Sequence, residues 1–250
     1  MRRLISLRPQ MSTFNPSIKI YLDGAQKEEI LKVQNDPLVS GFTTNPSLMK
    51  KAGISDYTAF AKDILKEVKK PISFEVFADD FAEMKRQALE IKSWADNVYV
   101  KIPITNSTGE SSCPLIHELS SSGVKLNVTA LFTTAQVLKT CEALKGGETA
   151  IISVFAGRVA DSGTSPESLM RASSEICEAY GSKTKPHELL WASNRQFYDV
   201  IQAQNWGAKI ITITPAVYQK FAMYQKDPTQ MSLETVQAFK RDSEAAGFRI

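Results

Sequence analysis

Histidine and cysteine are scarce in this chain of 250 residues. The two histidines are His117 and His187, and the three cysteines, Cys113, Cys141 and Cys177, include no CxxC pair. Two histidines cannot build a histidine-rich metal site, and three widely spaced cysteines indicate neither a zinc site nor a disulfide framework. We therefore predict no metal site. We also predict reduced thiols of the kind found in cytoplasmic proteins.

Long apolar runs and a strong charge imbalance are also missing. No stretch approaches the ~18 apolar residues of a membrane-spanning helix. Lys and Arg total 30 against 27 for Asp and Glu, and this net charge of +3 favours neither a nucleic acid nor a membrane as partner. The motifs GxGxxG, GxxxxGK[ST], GxSxG and HExxH are absent as well. The sequence therefore gives no sign of a nucleotide site, a serine-hydrolase elbow or a zinc peptidase.

Short β-rich segments alternate with helical segments from Ile18 onward. The predicted strands are residues 18–23, 41–45, 71–78, 97–104, 125–132, 149–156, 188–193 and 209–215. The predicted helices include residues 56–69 and 80–94 and, after the last strand, 215–224 and 232–246. Alternating strands and helices imply a parallel sheet with right-handed crossovers. Eight such units predict an α/β fold, a closed (β/α)8 TIM barrel with an additional C-terminal helix, formed by residues 18–250 as a single domain.

Residues 1–17 differ from the rest of the chain in composition. They contain three arginines and no acidic residue. This composition is loosely like that of an organelle transit peptide. It also fits a disordered extension, or a protein whose true first residue is Met11. We treat residues 1–17 as an extension outside the fold, either disordered or targeting.

Lys101 is the most informative residue of the predicted fourth strand, where it lies between Val100 and Ile102. Burying an ammonium among apolar side chains is costly, so a lysine at such a position is driven toward the neutral amine. A neutral amine is the nucleophile that Schiff-base chemistry on a carbonyl substrate requires. The alternative is a lysine on a strand edge whose stem is buried and whose ammonium reaches water.

Seven predicted strands carry polar residues in their interiors or at their ends. These residues are Asp23, Asn45, Glu75, Lys101, Asn127 with Thr129, Ser153 and Ser193. Helix capping is an alternative explanation for Asp23, Asn45 and Ser193. Capping cannot explain Glu75, Lys101 and Asn127, which lie within strands. Because TIM-barrel active sites lie at the carboxyl ends of the strands, we predict a functional site at that end.

The segments after the sixth and seventh predicted strands carry groups suited to an anion. Ser193-Asn194-Arg195 offers a hydroxyl, backbone N–H groups and a guanidinium, and Arg158 follows the sixth strand. Barrel enzymes often bind phosphate near the loops after strands seven and eight. Together with a reactive amine, these groups predict a phosphorylated, carbonyl-bearing substrate, a phosphosugar. The alternative is that both arginines are ordinary surface residues.

Five motifs in this order resemble the transaldolase family, in particular its small single-barrel members. The motifs are Asp23 at the end of strand one, Thr43-Thr44-Asn45-Pro46-Ser47, Val100-Lys101-Ile102-Pro103, Asn127-Val128-Thr129 and Ala192-Ser193-Asn194-Arg195. The resemblance extends from Ile18 to the C-terminus. It implies a metal-free class I aldolase mechanism without a cofactor, in a homo-oligomer of the pentose phosphate pathway. The implied reaction transfers a dihydroxyacetone unit from fructose 6-phosphate or sedoheptulose 7-phosphate to an aldose phosphate.

The resemblance also implies a role for each matched residue. Lys101 would form the Schiff base with the ketose C2 carbonyl, and Asp23 would take the proton of the C4 hydroxyl. Glu75 with Thr129 would hold a water that relays protons. The implied substrate-binding residues are Asn45, Asn127, Ser153 and Phe155 around the sugar, and Arg158, Ser193 and Arg195 around the phosphate.

Two positions separate transfer from simple cleavage. Fructose-6-phosphate aldolases share the fold and the lysine but release free dihydroxyacetone, and they carry a tyrosine at the position of Phe155 and a glutamine at that of Glu75. Both residues here are of the transaldolase type, which favours transfer. A barrel that only binds phosphosugar is disfavoured because binding needs no reactive amine. A metal-dependent isomerase is disfavoured by the shortage of histidine.

The chain departs from the family pattern at two places near the predicted site. Gly24 follows Asp23 where the family usually has threonine, and the loop 105–114 after the lysine strand is longer than usual. We expect this loop at the mouth of the site. These departures leave open an enzyme of the same type that acts on another phosphosugar.

Overall fold

The computed structural model describes residues 14–250, in which eight parallel strands form a closed barrel. The strands are β1 (Lys19–Asp23), β2 (Val39–Thr43), β3 (Ile72–Glu75), β4 (Val98–Pro103), β5 (Leu126–Leu131), β6 (Ala150–Val154), β7 (His187–Trp191) and β8 (Ile210–Ile213). Each strand pairs with the next one along the chain, and β8 pairs with β1. The predicted (β/α)8 TIM barrel is confirmed.

Helices follow the strands around the barrel. They are α1 (Lys27–Val33), α2 (Pro46–Lys51), α3 (Tyr57–Glu67), α4 (Phe81–Lys92), α5 (Cys113–Ser121), α6 (Thr134–Ala143), α7 (Ala156–Asp161), α8 (Glu167–Tyr180), α9 (Tyr198–Asn205), α10 (Pro215–Gln219), a 3-10 helix (Lys220–Met223) and α11 (Pro228–Ala246). In α4 the buried residues are Met84, Ala88 and Ile91. That spacing places one side of the helix against the barrel.

Several predicted strands extend past the observed ones at their carboxyl ends. The clearest case is β3, which ends at Glu75 although residues 71–78 were predicted. Beyond it, the N–H groups of Phe77 and Ala78 donate to Oε1 of Gln87 on α4, at 2.8 and 3.0 Å. A side chain thus takes the place of a neighbouring strand, because the chain turns outward here to enter the loop above the barrel.

The capping alternatives have different outcomes at the three candidate positions. Asn45 does cap α2, since its Oδ1 accepts from Leu48 N at 3.0 Å. Asp23 does not cap α1, whose N-cap position is Gln26. Ser193 does not cap α9 either, because that helix begins only at Tyr198. Capping therefore explains part of the chemistry of Asn45 and none of that of Asp23 or Ser193.

An apolar cluster closes the barrel below the carboxyl ends of its strands. It consists of Tyr21, Ile151, Leu190, Ala192 and Ile210, against which two further aromatic side chains pack. Leu190 and Ala192 also line the cavity above. The cluster therefore fills part of the barrel interior next to the cavity, in keeping with the packed interior of this fold.

The described chain divides into two compact units, residues 15–218 with the barrel, and residues 219–250 together with Phe14. In the smaller unit, Phe14 packs edge-on against Phe221 at a ring distance of 5.3 Å. The predicted C-terminal helix is present as α11 and begins at Pro228, four residues before the predicted start at 232. Residues 1–13, most of the predicted extension, lie outside the described residues. The single-domain assignment of residues 18–250 stays a prediction.

The cysteines and histidines form no disulfide and no metal site in the part of the chain that the structure describes. Cys113, Cys141 and Cys177 are free thiols, and the sulfur atoms of Cys141 and Cys177 lie 3.9 Å apart. Between residues 14 and 250, no group of three or more His, Cys, Asp or Glu side chains is placed to hold a metal ion. Within the same range, no helix has the length and apolar character needed to cross a bilayer.

Candidate active site

A cavity of about 450 Å³ opens at the carboxyl ends of the strands. All the residues predicted for the site line it: Asp23, Asn45, Glu75, Lys101, Asn127, Thr129, Ser153, Phe155, Arg158, Ser193 and Arg195. The barrel thus brings together in space side chains that are up to 172 positions apart in sequence, from Asp23 to Arg195. Their individual roles stay predictions.

Lys101 lines this cavity and is 8% exposed. Its Nζ is 3.2 Å from Oε2 of Glu75 and donates to the Thr44 carbonyl oxygen, also at 3.2 Å. The alternative of a lysine reaching bulk water is therefore wrong. The amine does not lie among apolar groups alone, because a carboxylate and a carbonyl face it.

Strand register places the amine between two polar neighbours. Glu75 of β3 pairs with Lys101 of β4, and Lys101 pairs with Asn127 of β5. Because side chains alternate along a strand, residues at paired positions point to the same face of the sheet. The three polar side chains therefore form one row across three strands, directed into the cavity.

Asp23 ends β1, across the cavity from this row. Its Oδ1 accepts a hydrogen bond from the hydroxyl of Thr43 at 2.8 Å, and that hydroxyl also lies 2.5 Å from the hydroxyl of Thr212. Burial raises the pKa of the Asp23 carboxyl above its ordinary value, opposed by the charge of Lys101 and by the Thr43 hydrogen bond. A carboxylate of raised proton affinity is suited to accept and return a proton.

A chain of hydrogen bonds joins three polar side chains of β3, β5 and β6. Ser153 Oγ donates to Asn127 Oδ1 at 2.6 Å, and Asn127 Nδ2 donates to Ser73 Oγ at 2.9 Å. All three side chains are buried. These bonds fix the orientation of the Asn127 amide, so its polar atoms keep one position beside Lys101.

The end of β5 is irregular where it meets the cavity. Ala130 has φ +63°, and the pairing of β5 with β6 shifts between Val128 and Leu131. A left-handed conformation at a residue with a Cβ costs roughly 1–3 kcal/mol. Next to it, the buried Thr129 hydroxyl has no hydrogen-bond partner among residues 14–250. The strain and the unsatisfied hydroxyl both lie in the cavity wall, where a bound molecule or water can meet them.

Two arginines lie at the opposite side of the cavity from Glu75. The guanidinium carbon of Arg158 is 5.0 Å from the centroid of the Phe155 ring. Arg195 binds the carboxylate of Asp161, the last residue of α7, through Nε at 2.9 Å and Nη2 at 2.5 Å. These hydrogen bonds lower the pKa of Asp161. The pairing uses one edge of the guanidinium, and the Nη1 side is left for another anion.

The loop that carries Ser193 and Arg195 is built around a buried carboxylate. Asp199 Oδ2 accepts hydrogen bonds from Arg195 N at 2.7 Å, Asn194 Nδ2 at 3.1 Å and Gln196 N at 3.2 Å. Ser193 itself has φ +66°. The loop is thus held in a tight, strained turn by one side chain from α9.

Gly157 allows the loops after β6 and β7 to touch. A Cβ at this position would lie 1.7 Å from the carbonyl oxygen of Ser193. Only glycine fits this approach, which places Arg158 beside the Ser193 turn.

Sequence reasoning missed the residues that support the site. Thr43 and Thr44 are next to Asn45 in the same motif, and Asn194 lies between the predicted residues Ser193 and Arg195. Their position beside predicted site residues could have identified these three. Asp161 and Asp199 gave no such signal, because each is an ordinary acidic residue of a helix.

The loop 105–114 does not line the cavity. It folds back on itself, with Thr105 paired to Ser111. Ser107 donates from its N–H and its hydroxyl to Asp79, at 2.7 and 2.6 Å. The hairpin is therefore attached to the segment after β3, and its position at the mouth of the site stays a prediction.

Comparison with known proteins gives a match to the family described as Transaldolase/Fructose-6-phosphate aldolase, over residues 20–250. A protein of Dehalococcoides mccartyi named "Probable transaldolase" is 40% identical over 197 residues, which are 78% of this chain and 86% of that protein. A protein of the same name from Symbiobacterium thermophilum is 35% identical over 236 residues, 93% of this chain and 100% of that protein.

Among solved structures, the barrel is similar to that of a mutant tryptophan synthase alpha-subunit from Pyrococcus furiosus. The TM-score is 0.55 at 12% sequence identity, with 86% of this chain and 96% of that chain covered. At this identity the likeness shows the fold alone, since unrelated activities share the TIM barrel.

Proposed function

Because the chain belongs to the Transaldolase/Fructose-6-phosphate aldolase family, we propose that it transfers a dihydroxyacetone unit from a ketose phosphate to an aldose phosphate. Lys101 would carry that unit as a Schiff base. The observation that carries the proposal is a buried amine beside a carboxylate, with Lys101 Nζ 3.2 Å from Glu75 Oε2 in the cavity. Binding a sugar needs no such amine, whereas attack on a carbonyl does.

The first stage is formation of the imine. The uncharged amine of Lys101 attacks C2 of the ketose, and the carbinolamine then loses its C2 oxygen as water. Glu75 accepts the proton released by the amine and returns one to the departing hydroxyl through a water held with Thr129. The contact between Glu75 and Nζ and the unpartnered Thr129 hydroxyl support these roles.

The second stage breaks and remakes a carbon–carbon bond. Asp23 takes the proton of the C4 hydroxyl, C4 becomes an aldehyde carbon, and the electron pair of the C3–C4 bond moves toward the iminium nitrogen to give an enamine. After the first aldose leaves, C3 of the enamine attacks the aldehyde carbon of the acceptor, and Asp23 returns its proton to the new alkoxide. The raised pKa of the buried Asp23 carboxyl supports this exchange.

The remaining cavity residues would hold the two ends of the sugar. Asn45, Asn127 and Ser153, which line the cavity together with Phe155, would bind hydroxyl groups of the dihydroxyacetone portion. Arg158, Ser193 and Arg195 would bind the phosphate. The hydrogen bond between Ser153 and Asn127 supports the first assignment, because it sets the amide before the substrate arrives.

Trapping the imine tests the proposal directly. The protein is incubated with fructose 6-phosphate and borohydride, and its intact mass and peptides are then measured. We expect a reduced three-carbon adduct on the peptide containing Lys101, and none in the variant Lys101→Met. An adduct-free wild-type protein would remove both the donor and the nucleophile from the proposal.

Transfer and cleavage differ in what happens to the three-carbon unit. Glu75 and Phe155 favour transfer, so we expect little free dihydroxyacetone when fructose 6-phosphate is given alone. Adding erythrose 4-phosphate should yield sedoheptulose 7-phosphate. Release of dihydroxyacetone at the same rate with and without acceptor would make the protein an aldolase of the fructose-6-phosphate type. Product formation from other aldose phosphates would reveal a different acceptor.

A homo-oligomeric assembly is part of the same proposal. Helix α11 buries none of its residues within the chain, and Leu233, Val236 and Phe239 are exposed at a spacing of three. An exposed apolar row of this kind supports contact with a second copy. Light scattering coupled to size exclusion would give the mass, and a monomer at micromolar concentration would contradict the proposal. The cytoplasmic location stays a prediction.

A further inference from the structure

Tyr57, the first residue of α3, makes two hydrogen bonds to a single neighbour. Its hydroxyl accepts from Glu75 N at 2.8 Å and donates to Glu75 O at 3.2 Å. The ring packs edge-on against Phe74, Phe77 and Trp94, at centroid distances of 5.9, 4.5 and 6.0 Å. The phenol is thus locked by three aromatic side chains while it holds both backbone polar groups of Glu75.

These bonds replace the hydrogen bonds that β2 would have made to Glu75 if it continued alongside β3. Strand β2 pairs with β3 only at Ile72 and Ser73, and its last backbone bond runs from Thr44 N to Ser73 O. Glu75 lies two residues beyond that point, so its backbone groups on the β2 side have no strand partner. The Tyr57 hydroxyl takes the place of β2 there. An unsupported end of a strand would fray, and its side chain would lose its fixed direction.

The Glu75 side chain that is held in this way faces the amine of the cavity. On its other edge, β3 is bound to β4, since Val76 N donates to Lys101 O at 3.1 Å. Glu75 is therefore clamped between Tyr57 and the strand that carries Lys101. Burial raises the pKa of Tyr57, which keeps the phenol protonated and able to donate at any ordinary pH.

We propose that Tyr57 is a positioning residue for the reaction: it never meets the substrate, but its hydroxyl sets the backbone of Glu75 and thereby the contact between Glu75 and Lys101. The inference rests on the proposed function for its kinetic consequence. Its structural consequence is independent of that function. Displacement of a proton-relaying group by a fraction of an ångström to one ångström lowers kcat more than it changes binding.

The variant Tyr57→Phe tests the proposal because it removes only the hydroxyl and keeps the ring. A second cavity of about 380 Å³ is lined by Tyr57 and Glu75 among others, and water entering it can satisfy the released backbone groups. We therefore expect a folded protein. With fructose 6-phosphate and erythrose 4-phosphate, kcat should fall about tenfold while KM stays within about twofold.

A double-mutant cycle with Glu75→Gln separates positioning from general destabilisation. If Tyr57 acts through the Glu75 carboxylate, Tyr57→Phe should change kcat less than about twofold in the Glu75→Gln background. The same tenfold loss in both backgrounds would overturn the proposal. Replacing Tyr57 by 4-aminophenylalanine, which keeps a hydrogen-bonding group on the ring, should restore most of the activity. Failure of this rescue in a folded protein would also count against the proposal.

Tyr218→Phe is a matched control. Tyr218 is buried and donates its hydroxyl to Asp36, and neither residue lines the cavity. We expect this variant to lose thermal stability but to keep kcat and KM. An equal loss of kcat in Tyr218→Phe would show that any missing phenol slows the enzyme, and the proposal would then fail.

Crystal structures of the wild type and of Tyr57→Phe give a readout that needs no substrate. We expect the Oε2–Nζ distance between Glu75 and Lys101, 3.2 Å in the intact site, to lengthen clearly in the variant. An unchanged distance would overturn the positioning role even if the enzyme turned over as proposed. A longer distance in a protein that forms no sugar adduct would instead support the role of Tyr57 and refute the proposed reaction.

Discussion

The two sides of the cavity are built in different ways. On the amine side, Asp23, Glu75 and Lys101 belong to strands, and the pairing of β3 with β4 sets Glu75 opposite Lys101. On the anion side, Ser193 and Arg195 belong to a loop between β7 and α9. The first arrangement follows mainly from strand pairing, to which the Tyr57 hydroxyl adds support at Glu75. The second depends on individual side chains from other elements.

The partners on the anion side are two carboxylates. Asp199 gathers three N–H groups of the loop, and Asp161 holds the guanidinium of Arg195. Gly157 lets the neighbouring loop come close. A rigid strand site suits bond-making chemistry, which tolerates little displacement, whereas a loop site suits a phosphate that must enter and leave. Variants on the two sides should therefore affect different kinetic constants.

Replacing the amine should have the largest effect. In Lys101→Met we expect kcat to fall by at least about 10⁴-fold, since no other group can carry the covalent intermediate. Steady-state turnover and borohydride trapping measure this. The control is Lys125→Met. Lys125 immediately precedes β5, and its Nζ donates to the backbone carbonyl of Asp96, so this variant should keep wild-type activity. Turnover of Lys101→Met within tenfold of wild type would refute the assignment of the nucleophile.

Asp23→Asn should come second, with a fall in kcat of about 10²–10³-fold, because Asn cannot accept the C4 hydroxyl proton. In the wild type, the acid limb of kcat/KM should lie above the ordinary pKa of an aspartate, since burial raises the pKa of Asp23. The limb should disappear from the residual activity of the variant. A limb that persists in Asp23→Asn would assign that titration to another group.

Asp23→Asn should also change the thermal stability of the protein. A carboxyl whose pKa is raised in the folded state opposes folding when ionised, so its cost is present above that pKa and vanishes as the pH falls toward the unfolded value of ~3.9. Asp23→Asn should therefore have a higher Tm than the wild type at pH 8. The difference should shrink as the pH approaches 4. Thermal unfolding across this range checks the sign, and a lower Tm at pH 8 would contradict it.

The contrast between the two sides also marks what the sequence could predict. The barrel and the strand-borne site residues followed from alternation, from polar residues inside apolar strands, and from the motifs. Glu75, Lys101 and Asn127 were recognisable because a polar residue within a strand needs a reason. Strand ends were less certain, because side chains such as Gln87 take over hydrogen bonds where a neighbouring strand would have continued the sheet.

What the sequence could not predict are contacts between residues distant in the chain. Asp161 and Arg195 are 34 positions apart, and nothing in either segment indicates their pairing. The loop 105–114 was expected at the mouth of the site from its position after β4, but nothing in its sequence indicated the hydrogen bonds between Ser107 and Asp79. Such contacts depend on three-dimensional packing and leave no local periodicity.

Arg195→Ala should act on binding rather than on chemistry. Loss of charge-assisted hydrogen bonds to the phosphate should raise KM for fructose 6-phosphate about 10- to 100-fold, with a smaller change in kcat. An unphosphorylated donor such as fructose, turned over at high concentration, should show no change. An equal effect on both donors would remove Arg195 from the phosphate site and turn it into a structural residue of the loop.

Asp161→Asn should have the smallest effect on KM, but the direction of that change is informative. Both partners of the Asp161–Arg195 pair are half exposed, so the pair adds little to stability, but it holds the guanidinium of a residue that lines the cavity. We expect KM for fructose 6-phosphate to rise about threefold as Arg195 loses that support.

The outcome depends on which role the Asp161 carboxylate has. Glu167→Gln, which breaks a similarly exposed pair with Arg171 on α8, should leave KM unchanged. A fall in KM in Asp161→Asn would mean that the carboxylate competes with the phosphate for the guanidinium. On the anion side, Asp161 would then compete with the substrate phosphate for Arg195. The amine side has no such competitor, because Glu75 and Lys101 act together.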